Sequence, residues 1–326
     1  MIPLVRAELL RIRSRRLTWV ALGAMLVVIL LTQLAVYSSV RPLSDAEREQ
    51  SRSAFEQAQQ DYAQNKAQYD QLEQECREQG GSEEECGFYE PRQEDYVARS
   101  VSSFGQVANL AVTVTVFLAG LSLLFLSASL IGADFSSGAM SNWLSFLPER
   151  TKVYVSKLVA VVVAGALATG VLAALALALT TVVTLGAGAD VVDPGAAWAK
   201  VGRGVLVGVV AVLIGFGIAM LTRHTIAAVG AVLAYLFLSF AYNIVVFLVP
   251  AVQGLQSVLP ENHALALLNR GHTYVTYVNE ATSSGQFEQR PVEHTITMAE
   301  SGLYWLVVLG ALVAVTLVVF RRRDVN

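Results

Sequence analysis

Residues 157–186 read KLVAVVVAGALATGVLAALALALTTVVTLG. After Lys157 no side chain in the stretch ionises. An α-helix rises about 1.5 Å per residue, so crossing a hydrocarbon layer of about 30 Å takes roughly 20 residues. This run is longer than that. Its residues do not alternate between apolar and polar, which excludes a barrel strand. Backbone polar groups in lipid must be paired within their own segment, so the run is a helix. Working outward, comparable uncharged runs lie at 17–38, 104–131, 204–221, 226–249 and 302–320. The expected fold class is therefore all-α, a polytopic membrane helix bundle of six spans. Composition agrees: the chain has 326 residues, 54% hydrophobic and 15% charged, where soluble domains carry about 25% charged residues. The run at 17–38 follows Arg11, Arg13, Arg15 and Arg16 as a secretory signal would. It is too long for a signal core and lacks a small-x-small cleavage site, so it is read as a retained first span.

Charge orients the spans. Lys and Arg concentrate on the cytoplasmic side of membrane proteins. Arg6, Arg11, Arg13, Arg15 and Arg16 precede span one, with Glu8 among them. Arg150, Lys152 and Lys157 flank the connection at 132–156, Arg223 and His224 lie in the link before span five, and Arg321, Arg322 and Arg323 follow span six. A six-span chain places all of these on one face, which fixes both termini as cytoplasmic in a cell (plasma) membrane. The other face receives 39–103, whose segment 41–99 holds fifteen Asp/Glu against seven Lys/Arg, and 251–301. Lys200 and Arg203 fall at the outer end of span four, from where long stems can reach the interface. Whether Lys200–Leu221 spans fully is left open by this pattern. The net charge of −3 gives no reason to expect a nucleic-acid partner.

Within the first outer segment, 43–79 reads as a soluble helix. Ser44 and Glu47 form a capping-box pattern after Pro42. Phe55, Tyr62, Tyr69 and Cys76 recur at intervals of seven, a thin stripe suited to a hairpin or stalk. Cys76 and Cys86, the chain's two cysteines, are expected to form a disulfide in an oxidising exterior, with two free thiols as the alternative. In the second outer segment, 259–268 reads as a short amphipathic helix and 271–297 as a small hairpin.

The chemistry that is missing narrows the function. There is no G-x-x-x-x-G-K-[ST] phosphate loop, so the chain is not expected to hydrolyse ATP by itself. No H-E-x-x-H or nucleophile elbow occurs, and His224, His263, His272 and His294 show no ligand spacing. Catalytic, cofactor and metal residues are thus expected to be none. The spans carry neutral polar groups only: Gln33, Gln106, Asn109 and Asn243 bond between helices or line a path. A membrane machine without its own charge relay draws energy from elsewhere or transports nothing.

The connection at 132–156 contains Gly132-Ala133-Asp134-Phe135-Ser136-Ser137-Gly138-Ala139-Met140-Ser141-Asn142-Trp143-Leu144-Ser145-Phe146-Leu147-Pro148-Glu149-Arg150-Thr151-Lys152. Phe135, Met140, Trp143 and Phe146 are unusually apolar for a water-facing loop and suit a helix docked in a partner's groove. Here the chain resembles the permease subunits of type-two ABC transporters, an export-type family. The resemblance rests on the acid-x-x-x-Gly pattern of Asp134 and Gly138, on Pro148, Arg150 and Lys157 after it, on the basic amphipathic segment 1–16 with Leu4, Leu9, Leu10 and Ile12, and on the tail Phe320-Arg321-Arg322-Arg323-Asp324-Val325. The family more often has Glu where Asp134 stands. The resemblance implies that 1–16 is an elbow helix and that the helix around 134–144 seats on a separate ABC ATP-binding subunit. Asp134, Phe135, Gly138, Met140, Asn142, Trp143, Pro148, Arg150 and Lys157 would make that coupling. ATP and Mg would be bound by the partner subunit and no cofactor by this chain. One chain supplies half of a path, so a homodimer or sister permease is implied. In this layout the cytoplasmic tail is 321–326 and spans three to five occupy 157–250. The competing reading is a non-transporting membrane anchor or sensor whose outer hairpin binds a partner.

Overall fold

The computed structural model describes residues 1–80, 86–146, 149–281 and 287–322. Among these, six helices are long and apolar enough to cross a membrane. They assemble into a helical bundle, and this is a multi-pass membrane protein.

The chain opens with helix α1 (Ile2–Ser14), started by Pro3 in its first turn, where a missing N–H is harmless. Arg15 is extended and breaks it from α2 (Arg16–Val40). Helix α3 (Asp45–Glu78) begins at the expected capping box, in which Ser44 and Glu47 satisfy each other's backbone N–H. Its stripe meets the returning chain. Phe55 packs on Tyr96, Tyr69 stacks on Phe88 with ring centroids 5.0 Å apart, and Cys76 is bonded to Cys86 with a Cα separation of 5.6 Å. The seven-residue repeat is thus the seam between the helix and the returning chain, whose Tyr96 ends a short 3-10 turn, Gln93–Tyr96.

Helix α4 (Phe104–Ser136) starts at a second capping box, Ser103 with Gln106. It continues past the expected end at 131, so Asp134 and Phe135 belong to its last turn. Gly138, at φ +69°, makes the left-handed turn into the short helix α5 (Ala139–Phe146). Pro148 lies outside the described residues, as do Arg323, Asp324 and Val325 of the tail.

Helix α6 (Arg150–Gly186) begins seven residues ahead of the expected span three. Helix α7 (Pro194–Thr222) begins ten residues ahead of the expected span four and is fully long enough to cross. In both cases the sequence boundary was drawn where a charge interrupts the apolar run. The structure instead buries that charge among polar partners and lets the helix continue. Lys200 is 5% exposed and donates to Thr113 (2.6 Å), to the Asn269 side chain (2.7 Å) and to Asn109. The spans expected from the sequence carry neutral polar groups in their interiors; the longer helices add Lys157 and Lys200 to them.

After α8 (Thr225–Leu248) a 3-10 stretch, Pro250–Val258, leads to α9 (Pro260–Asn269). Strands β1 (Gly271–Ala281) and β2 (Phe287–Thr297) pair antiparallel, Gly271 opposite Thr297, and form the small hairpin outside the bundle. Helix α10 (Met298–Arg322) closes the chain.

The seam between α4 and α7 organises the bundle. Ala108, Ala111, Val112, Thr115, Val116 and Ala119 form a buried stripe of small residues at helical spacing along α4. On α7, Gly208 abuts Thr169 of α6 and Gly215 abuts the backbone of Leu124. Lipid chains are as apolar as side chains, so close packing replaces hydrophobic exclusion as the driving force. Ser127 adds a hydrogen bond across the seam to the Val212 carbonyl at 3.0 Å. One core cluster gathers around Phe104, Leu177, Leu268 and Trp305, another around Met140, Tyr154, Phe216 and Phe320. The second lies toward the end that carries both chain termini. By contrast α8 is almost unpacked: only 6% of its span is buried.

Candidate functional site

The end of the bundle that carries both termini gathers most of the residues singled out from the sequence, and it is built around a buried ion cluster. Asp134 (1% exposed) ends α4, and Lys157 (1% exposed) lies two turns into α6. The Lys157 ammonium donates to Asp134 Oδ2 at 2.6 Å and to Glu8 Oε1 of α1 at 2.7 Å. Arg11, one helical turn after Glu8, pairs with Asp134 and reaches Glu8 at 3.4 Å. Arg15 stands 3.7 Å from Asp134 and donates to the Ser129 carbonyl. Burial, with Arg11 beside it, lowers the Arg15 pKa from its ordinary value. Two acids and three bases thus tie together three chain segments that are remote in sequence.

Buried ions are stable only when paired and hydrogen-bonded, and removing one partner strands the rest. The cluster therefore fixes α1 against the ends of α4 and α6.

The short helix α5 is laid across this cluster. Met140 is fully buried in the core cluster around Tyr154, and Leu144 packs at its edge. The Trp143 ring lies 5.9 Å from the Lys157 ammonium, within cation–π range. Asn142 is exposed, and its backbone N–H makes the first helical bond of α5, to the Gly138 carbonyl at 3.2 Å. Phe146 projects outward with 87% of its surface free. The Phe135 ring lies under the Arg223 guanidinium at 5.4 Å, which joins α4 to the link between α7 and α8. Arg150 donates to the Arg321 carbonyl at 3.2 Å and joins the start of α6 to the end of α10. Most of the residues singled out from the sequence thus come together at this end. Asp134, Met140 and Lys157 face inward, however, while Asn142, Phe146 and the rim of Trp143 form the outer surface. Glu8, Arg11 and Arg15 were missed as members of the cluster. The available signal was a single acid among five bases in the first sixteen residues.

The neutral polar residues do not converge. Gln33 accepts from Thr180 at 3.1 Å, linking α2 to α6. Gln106 caps α4, Asn109 accepts from Lys200, and the Asn243 side chain bonds the Ser239 carbonyl within its own helix at 2.8 Å. Among the described residues no group of three or more His, Cys, Asp or Glu could hold a metal ion.

Compared with known proteins, residues 2–325 match a family model described as ABC-2 family transporter protein. No curated protein and no solved structure matches the chain.

Proposed function

The chain belongs to the ABC-2 transporter family, whose members are membrane permease subunits of ABC transporters, and from that premise we propose that it exports its cargo with energy from a separate ATP-binding subunit seated on α5. The terminus-bearing end is cytoplasmic in this reading. ATP and Mg are held by the partner, and the permease works as a pair, either two copies or one copy with a sister chain. The permease subunit is not catalytic by itself. The export direction follows the resemblance set out from the sequence.

One observation carries the coupling reading. Helix α5 is rigidly held on its inner side, by Met140 in the core and Trp143 over Lys157, and presents Phe146 almost bare on its outer side. An exposed aromatic on a helix whose opposite side is locked to two spans suits a part that receives a push and passes it on. The ion cluster extends that grip to α1, so a displacement of α5 would move α1, α4 and α6 together. Positive charge around this end favours the cytoplasmic orientation.

The test is expression together with the ATP-binding subunit of the same transporter. The change Phe146→Asp is expected to lower co-purification of that subunit at least tenfold and to abolish ATP-dependent transport. The fold should survive, because the side chain touches little of the bundle. Undiminished association and transport would sink the assignment of α5.

A further inference from the structure

A cavity of about 460 Å³ opens between α4, α7, α8, α9 and α10, away from the ion cluster. Its volume is that of a small-molecule site, roughly 300–1,000 Å³. The walls are aliphatic and aromatic, with Ile214 on the α7 floor and Phe117, Tyr235 and Trp305 supplying rings from three helices. One carboxylate lines it, that of Glu261 in the first turn of α9. Glu261 receives hydrogen bonds from the Tyr235 hydroxyl and, at 3.0 Å, from the Ser239 hydroxyl, both on α8. Among the described residues no Lys or Arg forms an ion pair with it.

Two neutral hydroxyls and the start of a short helix, equivalent to roughly half a positive charge, leave this carboxylate under-compensated beside an apolar wall. Among the described residues, the other buried or half-buried acids at the ends of this bundle have a cation: Asp134 and Glu8 have Lys157, and Glu47 has Arg41. Here the counterion must come from outside the chain. A cation entering such a site meets aromatic faces as well as the carboxylate, and rings attract cations within about 6 Å of their centroids. An anionic or strongly polar ligand meets only repulsion and desolvation.

Building on the transporter reading, we infer that the cavity binds an organic cation with an apolar body, its charge against Glu261 and its body against Phe117, Tyr235 and Trp305. The α8 wall is the least packed span of the bundle, so entry from the bilayer needs little disruption of packed contacts. The cargo class that follows is hydrophobic and positively charged.

The test uses the full chain alone in nanodiscs of zwitterionic lipid, with empty discs as background. Equilibrium dialysis measures binding of tetraphenylphosphonium and of tetraphenylborate, a matched pair of opposite charge. Expected is saturable binding of the phosphonium in excess of the borate. Glu261→Gln, which keeps an acceptor for Tyr235 and Ser239 but removes the charge, should weaken the phosphonium at least about tenfold. Glu261→Asp should stay within about threefold of the original. Equal binding of the two ions, or phosphonium binding indifferent to Glu261→Gln, overturns the inference. No ATP-binding subunit is present, so that failure leaves the coupling role of α5 standing, and a failure of Phe146→Asp leaves this one standing.

Discussion

Asp134 and Lys157 show how far a residue's role can differ from its sequence context. Each flanks an apolar run and reads as a surface charge, yet both are buried against each other and against α1. Breaking a buried pair by removing one partner costs about 3–5 kcal/mol. Asp134→Leu is therefore expected to lower the thermal midpoint of the purified protein sharply. Adding Lys157→Met should restore much of the loss, because Glu8 and Arg11 remain to pair with each other. Additive losses in that cycle, read by thermal unfolding in detergent, would contradict the coupling of the two charges. On the opposite end Glu47 behaves differently. The Ser44 backbone N–H and the Arg41 guanidinium hold its carboxyl at about 2, below its ordinary 4.5. A depressed acid stabilises the folded form above its ordinary value, and that contribution is lost as pH falls through the lowered one. Hydrogen exchange at residues 41–50, corrected for intrinsic rates, is expected to be flat above pH 5 and to accelerate between about 4.5 and about 2. The Glu47→Gln variant should lack that acceleration.

At the scale of elements, the tight α4–α7 seam depends on absent side chains. A Cβ on Gly215 would overlap the Leu124 carbonyl and the Ser127 hydroxyl. A backbone carbonyl cannot rotate aside, so Gly215→Ala must part the helices. Overpacking of this kind costs about 1–3 kcal/mol. Gly302→Ala on α10 meets open space and should be neutral or stabilising by up to about 1 kcal/mol through helix propensity. Comparing the two melting points separates packing from propensity; equal effects would show that the seam tolerates expansion. Helix existence was legible in the sequence because long uncharged runs admit no other structure in lipid. The starts of α6 and α7 were not, because nothing local to Lys157 or Lys200 announces the Glu8, Asp134, Thr113 and Asn269 groups that receive them. The stripe on α3 was legible as a repeat, but its partner, the return through Phe88 and Tyr96, carries no periodicity of its own.

At the scale of the molecule, contacts bring the two ends of the chain together. Arg150 reaches Arg321, Phe135 meets Arg223, and α1 is locked to α4 and α6. The disulfide-bearing α3 and the β-hairpin lie beyond the other ends of the spans, which six crossings require. In a Cys76→Ser/Cys86→Ser background on intact cells, an impermeant maleimide is expected to label Asn65→Cys directly. Asn142→Cys should label only after permeabilisation. Labelling of both from outside would place α3 and α5 on the same face and contradict the topology; labelling of Asn142→Cys alone would invert it.

By itself the sequence determined the solvent and the existence of the six spanning helices, because a hydrocarbon layer permits few solutions and a run of apolar residues states its length openly. It also held the family resemblance, in the order of Asp134, Gly138, Arg150 and Lys157. Tertiary structure alone decided which of those charges face inward, that α1 joins them, and that Glu261 lines an apolar cavity without a cation beside it. Compensation of a charge depends on what packs within a few ångströms, and in a bundle those neighbours come from other helices, from 23 residues away for Lys157 with Asp134 to 149 for Lys157 with Glu8.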